Sequence, residues 1–138
     1  MISLIIGKKG SGKTKHLVEL VNAAVDASKG NVVCVEKGLK LTYDLTHKAR
    51  LVDSDEYGIN GYAALYGFLA GMCAGNYDLT DLFVDATLRI GGRDYEEFAD
   101  FVEKLSKQGF AASVKITFTV SCDESDLPER VFQFAKRV

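Results

Sequence analysis

Apolar and polar positions along the chain alternate between two rhythms. Ile2 to Ile6 is a short apolar run ending on Gly7, the pattern of a strand buried on both faces. Leu17, Leu20, Val21, Ala24 and Val25 then fall at helical spacing. Asn31 to Glu36, with Val32, Val33, Cys34 and Val35, reads as a second buried strand, and Arg50 to Asp53 as a shorter one. Gly61 to Gly75 is almost wholly apolar and reads as a helix. Thr80 to Asp85 carries Leu82, Phe83 and Val84 and predicts a further strand. Phe98, Phe101, Val102 and Leu105 return to helical spacing. Ser113 to Ser121 alternates with a period of two, which predicts the last strand. Pro128 is expected in the first turn of a closing helix with Val131, Phe132 and Ala135 on one side. Alternation of strands and helices predicts an α/β fold: three layers, α/β/α, around a mostly parallel sheet of about five strands.

Composition narrows the class. The 138 residues predict one domain, 1–138, with 47% hydrophobic and 26% charged residues, enough to build a core. The formal charge of −2 gives no support to nucleic acid as a partner. Cys34, Cys73 and Cys122 are odd in number and widely spaced, which argues against a disulfide framework or a zinc site. Buried thiols suit a reducing, cytoplasmic setting. The N-terminus lacks a basic region ahead of its short apolar run, so no signal peptide is expected, and residues 61–75 are too few to span a bilayer. No membrane partner is predicted. His16 and His47 are isolated and suggest no metal site.

The chemistry concentrates in residues 7 to 14, Gly-Lys-Lys-Gly-Ser-Gly-Lys-Thr. Glycines permit backbone angles that aim successive N–H groups at an anion. The helix that follows points its positive end at the same place. Gly7, Gly12, Lys13 and Thr14 match G-x-x-x-x-G-K-[ST] in full, between an apolar strand and an amphipathic helix. This segment resembles the Walker A loop of the P-loop NTPase superfamily. The resemblance implies that Gly7, Lys8, Lys9, Gly10, Ser11, Gly12, Lys13, Thr14 and Lys15 bind nucleotide. Lys13 would reach the β- and γ-phosphates, and Thr14 would bind Mg2+. Asp85, after Leu82-Phe83-Val84, resembles the Walker B aspartate, the second magnesium ligand. The resemblance rests mainly on residues 2–25 and 80–85 and implies the superfamily, with Mg2+ and ATP as ligands.

Two features depart from that pattern or extend it. Many RecA-like and AAA+ relatives carry glutamate after the aspartate to orient water, and this chain has Ala86. Glu36 and Asp53 end strands and are the alternative bases. Thr119 and Ser121 are candidates to sense the γ-phosphate, and Arg89 and Arg93, flanking Gly91-Gly92, to stabilise transferred charge. Asp94 with Glu97 forms a helix N-cap signal. No Lys-x-Asp occurs and the fourth residue from Asp85 is Leu88, so a Ras-like GTPase is disfavoured and ATP is the default.

The expected activity is a weak or partner-stimulated Mg-dependent ATPase (a hydrolase) or an ATP-dependent switch. The alternatives are a non-catalytic nucleotide-binding module or a small-molecule kinase. For the kinase, Lys40, Lys48 and Arg50 are candidate anion contacts. Ala63, Gly67, Gly71 and Gly75 recur every four residues. That ridge would either pack within the domain or meet a second copy or a protein partner.

Overall fold

The computed structural model describes residues 1–42 and 44–138. Its centre is one six-stranded, all-parallel sheet. The strands are β1 (Ile2–Gly7), β2 (Asn31–Glu36), β3 (Arg50–Asp53), β4 (Leu79–Val84), β5 (Lys115–Ser121) and β6 (Lys136–Arg137). The helices are α1 (Lys13–Ala27), α2 (Tyr62–Gly75), α3 (Thr87–Gly91), α4 (Tyr95–Ser106), α5 (Phe110–Ser113) and α6 (Val131–Phe134). The three-layer α/β/α class expected from the sequence is therefore present, with six strands rather than about five and every pairing parallel.

Sheet order is β3-β2-β4-β5-β1-β6, so β5 lies between β1 and β4. Alternating side chains build two cores. On one face Ile5, Cys34 and Phe83 pack under Leu17 and Val21 of α1. Leu41, Leu45 and Ala49, from the segment before β3, complete that layer. Asn22 ties the segment to α1 by accepting from the Thr46 N–H at 3.0 Å and donating to the Asp44 carbonyl at 3.3 Å. On the other face Leu4, Val35, Leu82, Ile116 and Phe118 meet Leu65 and Leu69 of α2 and Phe98, Phe101 and Val102 of α4. Burying each Leu or Phe contributes about 2 kcal/mol, which fixes α2 and α4 against the sheet.

Asp94 caps α4, its carboxylate accepting from the Glu96 and Glu97 N–H groups, as its position predicts. Three details differ from the sequence expectation. β5 begins at Lys115 because Phe110–Ser113 turns once as α5 and delivers Val114 extended. Pro128 precedes α6 by a turn, its carbonyl accepting from Val131 N–H. The sixth strand carries only Lys136 and Arg137, which offer no apolar pattern to read. Leu65 and Leu69 of α2 face the sheet, while Ala63, Gly67, Gly71 and Gly75 are exposed, and Gly71 and Gly75 border a cavity beside β3. Among the described residues no helix is long and apolar enough to cross a membrane.

Candidate functional site

Parallel strands deliver all their C-terminal ends to one rim, where loops from separate parts of the chain converge. A cavity of about 780 Å3 opens there. The loop between β1 and α1 lines it with Lys9, Gly10, Gly12, Lys13, Thr14 and Lys15. Glu36 ends β2, and Lys37, Lys40 and Leu41 follow. Asp85 and Ala86 leave β4, Arg89 and Arg93 come from α3 and the loop beyond it, and Thr119 and Ser121 end β5.

The glycine-rich loop is held open by its backbone. Gly10 and Gly12 have φ of +84° and +90°, a region where a side chain would be strained. Gly7 sits under Ser11, whose Oγ occupies the space a Cβ at Gly7 would need. Ser11 N–H donates to the Lys8 carbonyl at 3.0 Å and closes the turn. Lys13 Nζ donates to the same carbonyl at 3.0 Å, so the ammonium folds back over the loop. Desolvation holds its pKa below the ordinary lysine value, and the nearby Asp85 charge opposes that shift. Lys8 points away and pairs with Asp123 at 3.2 Å. Gly7, Lys8 and Ser11 thus shape the loop, while the other six named loop residues line the cavity.

Asp85 stands one strand away from the loop, with β5 between. Thr119 Oγ1 donates to Asp85 Oδ1 at 2.6 Å and accepts the Ala86 N–H at 2.9 Å. One hydroxyl therefore orients the carboxylate and fixes the turn after it. Ala86 occupies the left-handed region, φ 56° and ψ 44°, as the only non-glycine residue with positive φ among those described. Strain of this kind is sustained only where surrounding contacts over-determine it. The far end of α3 is held as firmly: Gly61 N–H donates to the Ile90 carbonyl at 2.9 Å and Tyr62 Oη to the Gly92 carbonyl at 2.6 Å. The Tyr62 ring lies against Gly91, where it leaves no room for a Cβ.

Glu36 is 2% exposed although it borders the cavity. Burial pushes its carboxyl above the ordinary range, and the Leu41 N–H, donating to Oε1 at 3.0 Å, partly offsets that. Asp53 is engaged differently, accepting the Gly38 and Asp55 N–H groups at 2.8 and 2.9 Å, and it does not line the cavity. Arg50 opens β3 and Lys48 just precedes it, so both lie at the opposite end of the sheet, while Lys40 faces the cavity. Lys37 belongs to no motif in the sequence. It lines the cavity and pairs with Asp55 at 2.6 Å, and its place directly after β2 was the available signal.

The lining holds seven lysines and arginines against two carboxylates, in a chain of net charge −2. Such a concentration attracts a polyanion from solution. Among the described residues no three His, Cys, Asp or Glu side chains gather as a self-sufficient metal site. The Thr14 hydroxyl and the Asp85 carboxylate are hard oxygen donors on one cavity, and Thr119 occupies only one Asp85 oxygen. That set fits Mg2+, which takes one or two protein oxygens and completes its shell with phosphate and water. No protein-family model matches this sequence, and no curated protein is significantly similar to it.

Proposed function

We propose that this chain binds ATP with Mg2+ in the cationic cavity and acts as an ATPase or ATP-dependent switch of the P-loop NTPase superfamily. One observation carries the reading. A glycine-rich loop at a helix N-terminus, a lysine, a hydroxyl and a carboxylate meet on a single 780 Å3 cavity, although they come from distant segments. Each matches a different part of a magnesium triphosphate. The loop N–H groups and the N-terminus of α1 hold phosphate oxygens. Lys13 exchanges its bond to the Lys8 carbonyl for the β- and γ-phosphates. Thr14 and Asp85 hold the ion, which neutralises phosphate charge when bound.

Glu36 fits the role of base toward the attacking water. Its raised pKa makes it a stronger proton acceptor than an ordinary carboxylate, and the proton can rest on the oxygen that Leu41 does not occupy. Arg89 and Arg93 line the same cavity and fit the role of stabilising charge on a transferred phosphoryl group. The switch aspect draws on the chain of contacts from Asp85 through Thr119 and Ala86 to α3 and on to Tyr62 at the start of α2. Loading of Asp85 thereby reaches the surface of α2, which is the candidate contact for a partner or second copy.

Binding without turnover is the second reading. It is favoured by the alanine at position 86, which puts no carboxylate directly after Asp85. Phosphoryl transfer to a small-molecule acceptor draws less support, because Lys48 and Arg50 lie away from the cavity. A cytoplasmic location belongs to the same proposal, supported by three free thiols.

The test is thermal unfolding of the wild type and Lys13→Ala, each with and without Mg-ATP, with Mg-GTP alongside. Ligand at one hundred times its dissociation constant stabilises by about 2.7 kcal/mol, which for this size is roughly 5 to 10 °C. A rise with ATP that vanishes in Lys13→Ala is expected. No rise with either nucleotide at millimolar concentration would refute the proposal. Phosphate release, measured on the wild type and Glu36→Gln, then separates turnover from binding alone.

A further inference from the structure

A second cavity lies at the opposite end of the sheet, remote from the cationic rim. Its volume of about 500 Å3 falls within the ~300–1,000 Å3 of small-molecule sites. It exists because β3 is a four-residue edge strand and α2 places two glycines, beside Phe68 and Met72, along its flank. Gly71 and Gly75 form that wall, and a Cβ at either would meet nothing within 4 Å. The floor is apolar: Val33, Val52 and Leu79, all buried, with Met72 beside them. Tyr57 and Phe68 close one side, their ring centroids 5.7 Å apart, and Tyr57 is 53% exposed.

The charge at this cavity is one-sided. Lys48 and Arg50 are exposed at its lining, and no aspartate or glutamate lines it. Arg50 pairs in register with Val33, which puts its side chain on the same face of the sheet as the cavity floor. Among the described residues neither cation has a carboxylate within 4.0 Å. Among the described residues Arg130 and Arg137 are matched to carboxylates, and the arginines without one are Arg50 here and Arg89 and Arg93 at the cationic rim. A cavity with an apolar floor and a guanidinium and an ammonium in its lining, its two asparagines Asn31 and Asn76 bonded to each other, is complementary to a molecule with an apolar body and one anionic head. The helix end that reaches the cavity is the C-terminus of α2, Gly75, whose dipole is negative and disfavours a multiply charged head. A planar carboxylate suits the fork of Arg50.

We propose that this cavity binds an amphipathic monocarboxylate of the medium-chain fatty-acid class, with its chain over Val33, Val52 and Leu79 and its head on Arg50 and Lys48. The site is independent of the nucleotide cavity. The test is a calorimetric titration of the full chain with decanoate below its micelle-forming concentration, with decanol as the uncharged control. Saturable one-to-one binding is expected, about tenfold weaker for decanol and for Lys48→Ala/Arg50→Ala. Gly71→Leu, which fills the slot from a position with open space around it, should abolish binding while leaving thermal stability intact. Absence of saturable decanoate binding below millimolar concentration would overturn the proposal. So would equal affinity for decanol, or binding that survives Gly71→Leu. The Mg-ATP thermal shift, measured on the same variants, should be unchanged, which keeps this result separate from the nucleotide reading.

Discussion

Replacing Thr119 with valine removes one hydroxyl and keeps the side chain's shape. Thr119 is 1% exposed, so its hydroxyl is shielded from solvent and valine leaves both of its bonds unmade. The hydroxyl gives a 2.6 Å bond to the Asp85 carboxylate, a charge-assisted contact whose loss costs about 1.5–3 kcal/mol. It also receives the Ala86 N–H at 2.9 Å, and stranding that partly buried donor costs about 1–3 kcal/mol. Both partners border the cavity, where solvent reaches them, so the lower halves of these ranges apply and the sum is about 2–4 kcal/mol. For a chain of this length that lowers the unfolding midpoint by roughly 10 °C. Urea denaturation of Thr119→Val and Thr119→Ser against wild type measures it. Serine keeps the hydroxyl and loses one methyl, so it should cost only about 1 kcal/mol. A valine variant within about 0.5 kcal/mol of wild type, or a serine variant as damaged as valine, would refute the reasoning.

Three further outcomes follow from the same geometry. Ala86→Gly relieves a left-handed alanine worth about 1–2 kcal/mol against about 0.4–1 kcal/mol of added unfolded-state entropy. It should therefore stabilise slightly in thermal melts, whereas a clear loss would show that the turn is not strained. Gly7→Ala drives a Cβ into Ser11 and should sharply reduce the Mg-ATP thermal shift. Adding Ser11→Gly should restore it, and failure of that rescue would exclude the contact as the cause. Glu36 has a folded pKa above its ordinary value, so its ionisation is penalised in the fold at pH above the raised pKa, and the penalty fades as pH falls through it. Glu36→Gln keeps the Leu41 hydrogen bond and removes the charge. It should melt higher than wild type at pH 8, with the gap closing toward the ordinary carboxylate range, and should release no phosphate from ATP. A stability difference independent of pH would rule out ionisation as its source.

Local sequence determined the elements and the parts of the candidate site that act through backbone geometry. Ile2 to Ile6 and Asn31 to Glu36 can only be satisfied as buried strands, and the helical spacing from Leu17 to Val25 defines one face of α1. The glycines at 10 and 12 prescribe a loop with positive φ without reference to the rest of the chain. Strand ends also follow from local pattern, which is why Glu36, Asp85 and Thr119 could be named as candidates. Where a pattern is short or polar it fails, as at α3, α5 and the two-residue β6, whose conformation comes from neighbours rather than periodicity.

Tertiary structure alone decided the order of the strands, because each parallel pairing joins segments 17 or more residues apart and leaves no local trace. Inserting β5 between β1 and β4 is what sets Thr119 against Asp85. The same sheet ties down Asp53 and buries Glu36, two carboxylates that look alike in sequence. It also separates Lys40 from Lys48 and Arg50, because residues that leave one parallel strand and residues that enter the next occupy opposite rims. The exposed ridge of α2 and the uncovered flank of β3 arise in the same way, since a helix's orientation is set by which of its faces buries the most apolar surface.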